Sequence, residues 1–542
     1  MNTPFDFDVV IVGSGFGGSV SALRLAEQGY KVAVLEQGRR LTQADLDQAS
    51  RDSKYLNWAP LFGLKGFLAQ DVFQHMGVVR GIAVGGGSVV YAAVLLKPGQ
   101  KFYQDSAWRN LSPDWEQELA PHFRTAEKML GVNLNPYKGQ QDAWLQQTAT
   151  AMQAAHTFDT VPQGIYFGDP QQAVSDPLLG GNGPDRIGCN QCGNCITGCA
   201  QGAKNSLDKN YLYLAEQHDA EIIPETKVTH IEPMEDGYIV HCHHSFDKNN
   251  QRKIRARKVI LSAGVIGTVE ILFASRDLYK TLPDISSQLG EHIRTNSEAV
   301  VSVLSQDEHL DLTQGTTISS HFYADEKTHI TQNRFPASYD FMKMYMGPSI
   351  HGHSPWRRAL QVIKTFLLHP FKASLAWRSK NWYKRVTVLT VMQQADNQLR
   401  FVYGRTWMRG LRRFLKTQVS VGTRAPSYIP LANQAAEAYA KLSGGTAQNN
   451  ILESVGNLSV TAHILGGAVM AESSDTGVVD QSHQVFGYPG LYVMDASAIP
   501  VNVGVNPSLT ITALAERFSS QFQQTKKQDY VAQSKVSTVV MD

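Results

Sequence analysis

The chain has 542 residues, of which 42% are hydrophobic, 18% charged and 9% aromatic, and its formal net charge is +2. This composition is typical of a globular protein and excludes a largely disordered one, because enough apolar surface exists to bury a core. The length exceeds what one core usually supports and predicts at least two domains. No run of about 18 uncharged apolar residues occurs, so a membrane-spanning helix is not expected. The N-terminal sequence MNTPFDFD lacks a basic region and a cleavage site, which predicts a cytoplasmic protein without a signal peptide.

Residues 7–37 carry a βαβ pattern, in which a glycine-rich turn and an amphipathic stretch separate two apolar runs. Gly13 allows the tight turn, Gly15 lets a pyrophosphate approach the backbone, and Gly18 lets the helix pack closely on the strand. Amides at the helix N-terminus then bind the phosphates. Glu36 ends the second run, where an acid accepts hydrogen bonds from the adenosine ribose hydroxyls. The pattern predicts dinucleotide binding but does not distinguish FAD from NAD.

A second glycine-rich segment precedes another apolar run. It consists of Gly85, Gly86, Gly87 and Ser88. Bare backbone at these positions can lie against a flat ring or a diphosphate. We therefore expect Gly86, Gly87 and Ser88 to contact the cofactor. A glycine-rich hairpin without a ligand is the alternative interpretation.

Four of the five cysteines fall within eleven residues, in the sequence GCNQCGNCITGCAQGAK. They are Cys189, Cys192, Cys195 and Cys199, and their C-x2-C-x2-C-x3-C spacing is that of bacterial iron–sulfur ferredoxins. Ferredoxins place a proline after the fourth cysteine, whereas this chain has Ala200. The sequence leaves three alternatives open: an iron–sulfur cluster, a structural zinc ion held by four thiolates, and a reduced loop without metal.

Between Asp340 and Glu437 the chain has sixteen Lys and Arg residues and one acidic residue, Asp396. Within this stretch, residues 355–416 interleave the cations with aromatic and aliphatic side chains, as in SPWRRALQVIKTFLLHPFKASLAWRSKNWYKR and RTWMRGLRRFLK. Cations and aromatic residues beside short apolar runs are typical of a helix that lies in a membrane interface. We expect peripheral contact with a membrane, and an ordinary basic surface is the alternative. Nucleic acid is not expected as a partner.

The C-terminal part carries a histidine, a Gly-Gly pair, an apolar strand and an Asn-Pro pair in that order. TAHILGGAVM contains His463, and the later sequence GVNPSLTITALAERF contains Asn506 and Pro507. Together with GSGFGG and VGGGS, these sequences resemble the glucose-methanol-choline (GMC) oxidoreductases, most closely their cholesterol oxidase branch. The resemblance runs from the first strand to about Phe518 and is weak from about residue 301 to 450.

The resemblance implies that His463 and Asn506 lie above a flavin and act on an alcohol. A neutral imidazole is a suitable base or acceptor for the hydroxyl proton. The asparagine amide can donate to the same oxygen and direct the carbinol hydrogen toward the flavin, which supplies the redox step. The resemblance thus implies FAD-dependent oxidation of a secondary alcohol, such as the 3-hydroxyl of a sterol.

Further cofactor contacts follow from the resemblance alone. They are assigned to Val228, Gly264, Asp495, Ala496 and Pro507. Two departures from the family pattern stand out. The family's Asn-Gly-Gly-Met stretch beside the flavin is replaced by Tyr91-Ala92-Ala93-Val94. No acid aligns with the family glutamate that moves the steroid double bond, and Glu326 is only nearby in order, so isomerisation is not implied.

The expected fold is α/β, with a Rossmann-type FAD-binding domain and an inserted α+β substrate-binding domain. We expect the first to comprise residues 1–100, 188–300 and 455–525, and the second to comprise 101–187 and 301–454. Oxygen, a quinone or a protein would accept the electrons. One alternative function is a long-chain aliphatic alcohol dehydrogenase or oxidase with the same His463 and Asn506. The other is a membrane-associated flavin and metal protein for electron transfer or redox sensing, which does not need His463.

Overall fold

Two seven-stranded sheets dominate the computed structural model, which describes residues 5–395, 397–405, 413–420 and 426–522. Several of the sequence predictions above extend beyond these ranges, including residues 1–4 and 523–525 of the expected FAD-binding domain and Arg424 of the basic stretch. Asp396 lies outside the described residues, and so do residues 406–412 of the second basic sequence.

The first sheet has a parallel centre. In spatial order its parallel strands are Glu221–Ile223, Val32–Leu35, Phe7–Val12, Asp247–Leu261 and Leu491–Val493. The strands Thr226–Met234 and Gly237–His244 extend the sheet in antiparallel fashion beyond Asp247–Leu261. The run Val9–Ile11 is fully buried, as expected for a parallel strand that is covered on both faces. The main helices of this unit are Phe16–Glu27, Tyr211–Gln217, Gly264–Phe273 and 508–522.

The second sheet is antiparallel throughout. Its spatial order is Met346–Pro348, Gly445–Asn450, Ala299–Ser305, Val386–Gln393, Thr328–Asn333, Ser320–Asp325 and Asp159–Thr160. The helices Gln140–Ala151 and Pro430–Ser443 contact this sheet, and a core of Val301, Phe322, Ile330 and other apolar residues joins them to one of its faces. Because side chains alternate along a strand, His329 and Met392 face the other side.

The remaining elements are short or peripheral. A three-stranded sheet consists of Leu68–Val72, Met76–Gly81 and Ser459–Thr461. Two-stranded antiparallel sheets are formed by Trp58–Ala59 with Leu64–Lys65, Val132–Leu134 with Pro162–Gly164, Ala173–Val174 with Arg186–Ile187, and Leu399–Arg405 with Arg413–Val419. The other helices are Gln43–Arg51, Ser53–Leu56, Gln100–Tyr103, Trp115–Leu130 and Ile451–Ser454.

The basic, aromatic segment folds into the helix Pro355–Leu368 and three single turns. The turns are Pro370–Ala373, Leu375–Arg378 and Trp382–Arg385. Part of the predicted surface is buried. Trp382 is inaccessible within an apolar cluster, and the Arg358 and Arg385 guanidinium groups donate to backbone carbonyls in the interior. The prediction that these three side chains belong to the basic surface is therefore wrong, because composition does not tell which side of an element faces the core.

The expected α/β fold, a Rossmann-type unit with a second sheet inserted in sequence, is confirmed. Among the described residues, none of the helices has the length and apolar character needed to cross a membrane.

Candidate active site

In the first glycine-rich turn, two glycines have no room for a side chain and a third has free space beside it. A Cβ atom on Gly13, whose φ is +100°, would lie 2.3 Å from the Ser262 carbonyl oxygen, and one on Gly18 would lie 2.1 Å from the Gly13 carbonyl oxygen. A Cβ atom on Gly15 would meet no atom within 4 Å. The turn and the helix after it are thus tightly packed, while space remains beside Gly15 at the helix N-terminus, where a diphosphate binds best.

Glu36 is buried at the end of the second strand and holds this turn. One carboxylate oxygen accepts from the Ser14 amide at 3.0 Å and the Ser14 hydroxyl at 2.6 Å, and the other accepts from the Gly38 amide at 2.8 Å. Burial raises the pKa of the Glu36 carboxyl, while these three donors favour its ionised form. The Ser14 hydroxyl also accepts from the Gly85 amide at 3.0 Å. Ser14, which the sequence analysis did not single out, therefore links the two glycine-rich segments.

The second glycine-rich segment forms a short helical turn, Gly86–Val89, directly against the first. A Cβ atom on Gly86 would lie 2.7 Å from Gly15 Cα, whereas one on Gly87 would meet nothing within 4 Å. The Ser88 hydroxyl donates to the Gly85 carbonyl at 2.7 Å and accepts from the Leu207 amide at 3.0 Å. Gly87 therefore has open space beside it, whereas the Ser88 hydroxyl already forms hydrogen bonds with backbone groups of the protein.

The cofactor contacts taken from the resemblance lie around the carboxyl ends of the parallel strands. Gly264 begins a helix with φ +71° and with open space beside it. Asp495 follows the strand Leu491–Val493 and accepts from the Thr268 hydroxyl at 2.5 Å and the Ser497 amide at 2.8 Å. Burial raises the pKa of the Asp495 carboxyl. The Ala496 carbonyl accepts from the Gly466 amide at 3.0 Å, which ties this strand end to the Gly-Gly pair after His463.

Val228 and Pro507 are both buried. Val228 is opposite Cys242 in the antiparallel extension of the first sheet, next to a bulge. Pro507 precedes the C-terminal helix, and its carbonyl accepts from the Ile511 amide at 2.9 Å. Proline is well suited to the start of a helix because its missing amide proton leaves no unpaired donor there.

His463 and Asn506 meet, although 43 residues separate them. Asn506 Nδ2 lies 3.2 Å from His463 Nε2, and Asn506 Oδ1 is buried with no hydrogen-bond partner among the described residues. His463 Nδ1 is hydrogen-bonded to the carboxylate of Glu298, which also accepts from the Ala462 amide at 3.1 Å. A carboxylate on Nδ1 favours the tautomer in which Nε2 carries the lone pair. The imidazole is thus oriented to accept a proton at the atom beside Asn506.

The sequence analysis missed Glu298, which is 3% exposed and precedes the strand Ala299–Ser305 of the second sheet. It missed Glu453 too, whose carboxylate accepts from the Val300 amide at 3.0 Å. Burial raises the pKa of Glu453 well above its usual value, and the charge of Glu298 raises it further. Neither acid stands in a recognisable sequence pattern. By contrast, the Glu326 side chain is 93% exposed and ion-paired with Lys101, so it is remote from this buried pair of acids.

The four cysteines of the loop line one cavity together with Lys204. They carry free thiols, and Cys192 is the exposed member. Within the described ranges, no three His, Cys, Asp or Glu side chains are arranged to hold a metal ion. This finding supports neither of the two metal alternatives, so the iron–sulfur cluster and the structural zinc ion both stay predictions.

The residues around the two glycine-rich segments fit a dinucleotide, because they leave the backbone open at Gly15 and Gly87, and Gly264 at the end of a neighbouring parallel strand is open as well. Comparison with known protein families agrees. An FAD binding domain model matches residues 8–45, and two GMC oxidoreductase models match residues 183–293 and 385–515.

Comparison with individual proteins gives the same family. The chain is 38% identical to a cholesterol oxidase of Acinetobacter baumannii over 529 residues, which cover 95% of this chain and 94% of that protein. It is also 38% identical to a cholesterol oxidase of Mycobacterium tuberculosis (strain ATCC 25618 / H37Rv) over 532 residues, which cover 95% and 91%. A long-chain-alcohol oxidase of Arabidopsis thaliana is 24% identical, with 95% of this chain and 67% of that protein covered.

Among solved structures, pyridoxine 4-oxidase from Mesorbium loti matches with a TM-score of 0.62 at 13% identity and covers 95% of this chain and 99% of that one, which is a likeness of fold. With the partly buried side chains of His463 and Asn506 in contact beside a dinucleotide fold, these matches identify the chain as an FAD-dependent alcohol oxidoreductase that belongs to the GMC oxidoreductase family.

Proposed function

We propose that the protein oxidises the hydroxyl group of a bulky apolar secondary alcohol of the sterol class, with His463 and Asn506 as the residues that contact this hydroxyl. The observation that carries the proposal is the 3.2 Å approach of Asn506 Nδ2 to His463 Nε2. These atoms offer one donor and one acceptor side by side, which is what an alcohol oxygen and its proton require.

In the proposed reaction, the substrate hydroxyl enters between the two side chains and replaces their mutual contact. The hydroxyl proton moves to His463 Nε2, and Asn506 Nδ2 donates to the alcohol oxygen and fixes its position. Glu298, on the opposite side of the imidazole, stabilises the positive charge that the ring gains. FAD, when bound, supplies the two-electron acceptor for the carbinol hydrogen.

The same proposal assigns the cofactor contacts. Gly13, Gly15 and Gly18 form the diphosphate turn, and Glu36 accepts from the ribose hydroxyls. The open backbone at Gly87 and Gly264 would lie along the dinucleotide, and Gly86, which packs closely on Gly15, would bring the second glycine-rich segment to it. Asp495, which like Glu36 accepts from three donors, would fix the strand end from which Ala496 approaches the flavin, and Pro507 would approach it from the start of the C-terminal helix. Ser88 and Val228 contribute mainly through packing, since the hydroxyl of the first is satisfied and the side chain of the second is buried.

The substrate class rests on the relatives. Two proteins named cholesterol oxidases are 38% identical to this chain over nearly its whole length, while the protein named a long-chain-alcohol oxidase is 24% identical. The long-chain alcohol remains the second candidate because it requires the same His463 and Asn506. Oxygen is the acceptor favoured by the names of these relatives.

Anaerobic reduction of the bound flavin tests the substrate class without assuming an acceptor. The oxidised-flavin absorbance should disappear on addition of 3-hydroxysterols and persist with long primary alcohols of equal solubility. The opposite order would favour the aliphatic substrate, and no loss of absorbance with either would contradict alcohol oxidation at this site.

We also propose peripheral docking on an anionic bilayer through the helix Pro355–Leu368 and the turn after it. Trp356, Leu360, Ile363 and Leu367 are spaced four, three and four residues apart, which places them on one face, and each is more than half exposed. Phe371, in the next turn, is 75% exposed. A helix in a globular protein ordinarily buries such a face, so these residues form an apolar surface available to a partner.

The charges beside this apolar face favour an anionic bilayer as the partner. Arg357, Lys364, Lys372, Arg378 and Lys380 are exposed around it. Apolar insertion together with flanking cations is the composition of helices that bind membrane interfaces. Sterols reside in bilayers, so docking through this surface would bring the enzyme to its substrate.

A further inference from the structure

The loop 189–204 encloses a cavity that the proposed alcohol chemistry does not use. All four cysteines of the loop line it, together with Lys204 and the backbone of Gly315. Cys195 is buried, and Cys189 and Cys199 are partly buried against Ala93 and Ile165. Cys199, the fourth cysteine of the spacing, lines the same cavity as the other three. A second cluster is therefore not needed to account for it.

Backbone amides donate to sulfur atoms within this loop. The Gln191 amide lies 3.4 Å from Cys189 Sγ, and the Lys204 amide lies 3.5 Å from Cys199 Sγ. The backbone of the loop has positive φ angles at Gln191, Gly193 and Gly198, which are typical of tight turns. Amide donors favour thiolate over thiol, and hydrogen bonds to sulfur tune iron–sulfur sites.

A buried ammonium group provides an independent indication of negative charge. Lys204 is 1% exposed, and its Nζ donates to the carbonyls of Cys195 at 2.7 Å, Val89 at 2.7 Å and Tyr91 at 3.2 Å. These three acceptors are neutral, and among the described residues no carboxylate forms an ion pair with this ammonium group within 4.0 Å. A charge this deeply buried is costly unless an opposite charge lies nearby. Four cysteine thiolates in the adjacent cavity would supply that charge.

We propose that this cavity holds an iron–sulfur cluster of the [4Fe–4S] type, ligated by Cys189, Cys192, Cys195 and Cys199. Four cysteines that line one cavity provide the thiolate donor set that such a cluster requires. Their spacing in the sequence, their shared cavity and the buried cation all fit this cofactor.

The position of Lys204 places the cluster beside the flavin site, and this part of the inference rests on the proposed function. The Lys204 ammonium joins the cysteine loop to Val89 and Tyr91, immediately after the Gly86–Ser88 segment. On the other side, Cys192 also lines an open surface pocket with Gln43 and Ala200. The cluster would therefore lie between the flavin and the surface.

The cluster would pass electrons singly from the reduced flavin to an external quinone. The alcohol loses two electrons and two protons and becomes a ketone. The electrons pass through the cluster one after the other, and the quinone takes up both electrons and two protons to become a quinol. His463 would return the hydroxyl proton to solvent, and the proton of the transferred hydride would also be released to solvent as its two electrons move on. The quinone would take two protons from solvent, which equals the number that the alcohol loses.

Iron analysis of anaerobically purified protein tests the cofactor. Wild type should contain about four iron and four acid-labile sulfide per chain, absorb beyond the flavin bands and give an EPR signal on reduction. Cys195→Ser and the more exposed Cys192→Ser should each lose most of the iron and that absorption while they retain FAD. Cys242→Ser is the matched control, because Cys242 is buried in the first sheet, and it should keep both cofactors.

The outcomes separate the cluster from the alcohol chemistry. Cys192→Ser should still show flavin reduction by alcohol under anaerobic conditions, while its quinone-linked turnover falls at least about tenfold. Stoichiometric zinc, or less than about half an iron per chain after reconstitution with ferrous iron and sulfide, would overturn the cluster. Equal iron in wild type and both cysteine variants would overturn the ligand assignment. Failure of alcohols to reduce the flavin in an iron-replete wild type would contradict the proposed function alone.

Discussion

The Glu298 carboxylate is hydrogen-bonded to His463 Nδ1 and links the second seven-stranded sheet to the small sheet that precedes the proposed catalytic histidine. Glu298 directly precedes Ala299–Ser305, an interior strand of the second sheet, whereas His463 follows the strand Ser459–Thr461, which pairs with Met76–Gly81 in a small sheet. The orientation of the proposed base is thus set by the packing of one unit against the other.

The first prediction concerns this pair. Glu298→Gln keeps the shape of the side chain but removes the charge that stabilises a protonated imidazole, so kcat should fall by about 10²-fold or more. KM for the alcohol and FAD content should change little, because Glu298 contacts neither in the proposed site. Stopped-flow flavin reduction measures the effect, and Glu298→Asp should recover part of the rate. Glu326→Gln, at an exposed site, is the control, and an equal loss in both variants would contradict the assignment.

The second prediction concerns the two residues proposed to touch the hydroxyl. His463→Ala and Asn506→Ala should both retain flavin and lose alcohol turnover by about 10² to 10⁴-fold, because each removes one hydrogen-bond partner of the reacting oxygen. Absorbance of the purified variants reports FAD, and anaerobic reduction by alcohol reports the chemistry. Near-normal reduction in either variant would remove that residue from the site.

The third prediction concerns Glu36. Glu36→Ala removes the acceptor for Ser14 and Gly38 as well as the proposed ribose contact, so FAD affinity should fall at least about tenfold. The flavin spectrum should be normal once the site is saturated, since the isoalloxazine ring lies elsewhere. Titration of apoprotein with FAD measures this affinity. Unchanged affinity would show that the acid only supports the turn.

Local sequence patterns were sufficient to predict the nucleotide half of the site. The tight approach at Gly13 and Gly18 and the open space at Gly15 follow from neighbouring positions in one βαβ unit, where spacing determines geometry. His463 and Asn506 were indicated by the order of family motifs, and the fold brings them together. Their catalytic roles and the cofactor contacts stay predictions.

Glu298 could not be found in the same way. It lies 165 residues before His463 and contacts it only because the two sheets pack together. A single glutamate before a strand belongs to no sequence motif and to no hydrophobic periodicity that would mark it as a site residue. The burial of Trp382 and Arg385 was missed for a related reason, since composition indicates that a segment is basic and aromatic but not which side chains face inward.

The fourth prediction is a pH dependence of stability that originates at His483. This side chain is inaccessible, its Nδ1 lies 3.0 Å from the Val493 carbonyl, and burial lowers its pKa from 6.5 to about 3. Between these values the unfolded chain binds a proton that the folded chain does not. Its contribution is therefore complete above pH 6.5 and is lost as the pH falls toward 3, by about 1.4 kcal/mol per pH unit.

His483→Asn retains a donor for the Val493 carbonyl but has no proton to gain. Its midpoint of thermal unfolding should therefore fall less steeply than that of wild type between pH 6.5 and 4.5. The exposed His156→Asn is the control and should follow wild type. Identical slopes in all three proteins would show that His483 is protonated in the folded state.

The fifth prediction tests docking of the apolar face of the helix Pro355–Leu368. Each Lys or Arg near an anionic bilayer contributes roughly 1 kcal/mol, and the Debye length falls from about 10 Å at 0.1 M salt to about 3 Å at 1 M. Cosedimentation with anionic liposomes should therefore weaken at high salt, but it should not vanish, because insertion of Trp356 and Leu367 is not electrostatic.

Variants separate the apolar contribution from the charge. Replacing Trp356, Leu360 and Leu367 together by Ala should abolish the binding that persists at 1 M salt, while Leu134→Ala, which is equally exposed outside this helix, should leave it unchanged. Trp382 is unsuitable for this test because it is buried. Oxidation of a sterol in bilayers should fall in the triple variant, whereas oxidation of a detergent-dispersed sterol should persist, since no residue of the proposed site is altered. If wild type does not sediment with anionic liposomes even at low salt, the segment is an ordinary basic surface, and the sterol assignment then depends on the relatives alone.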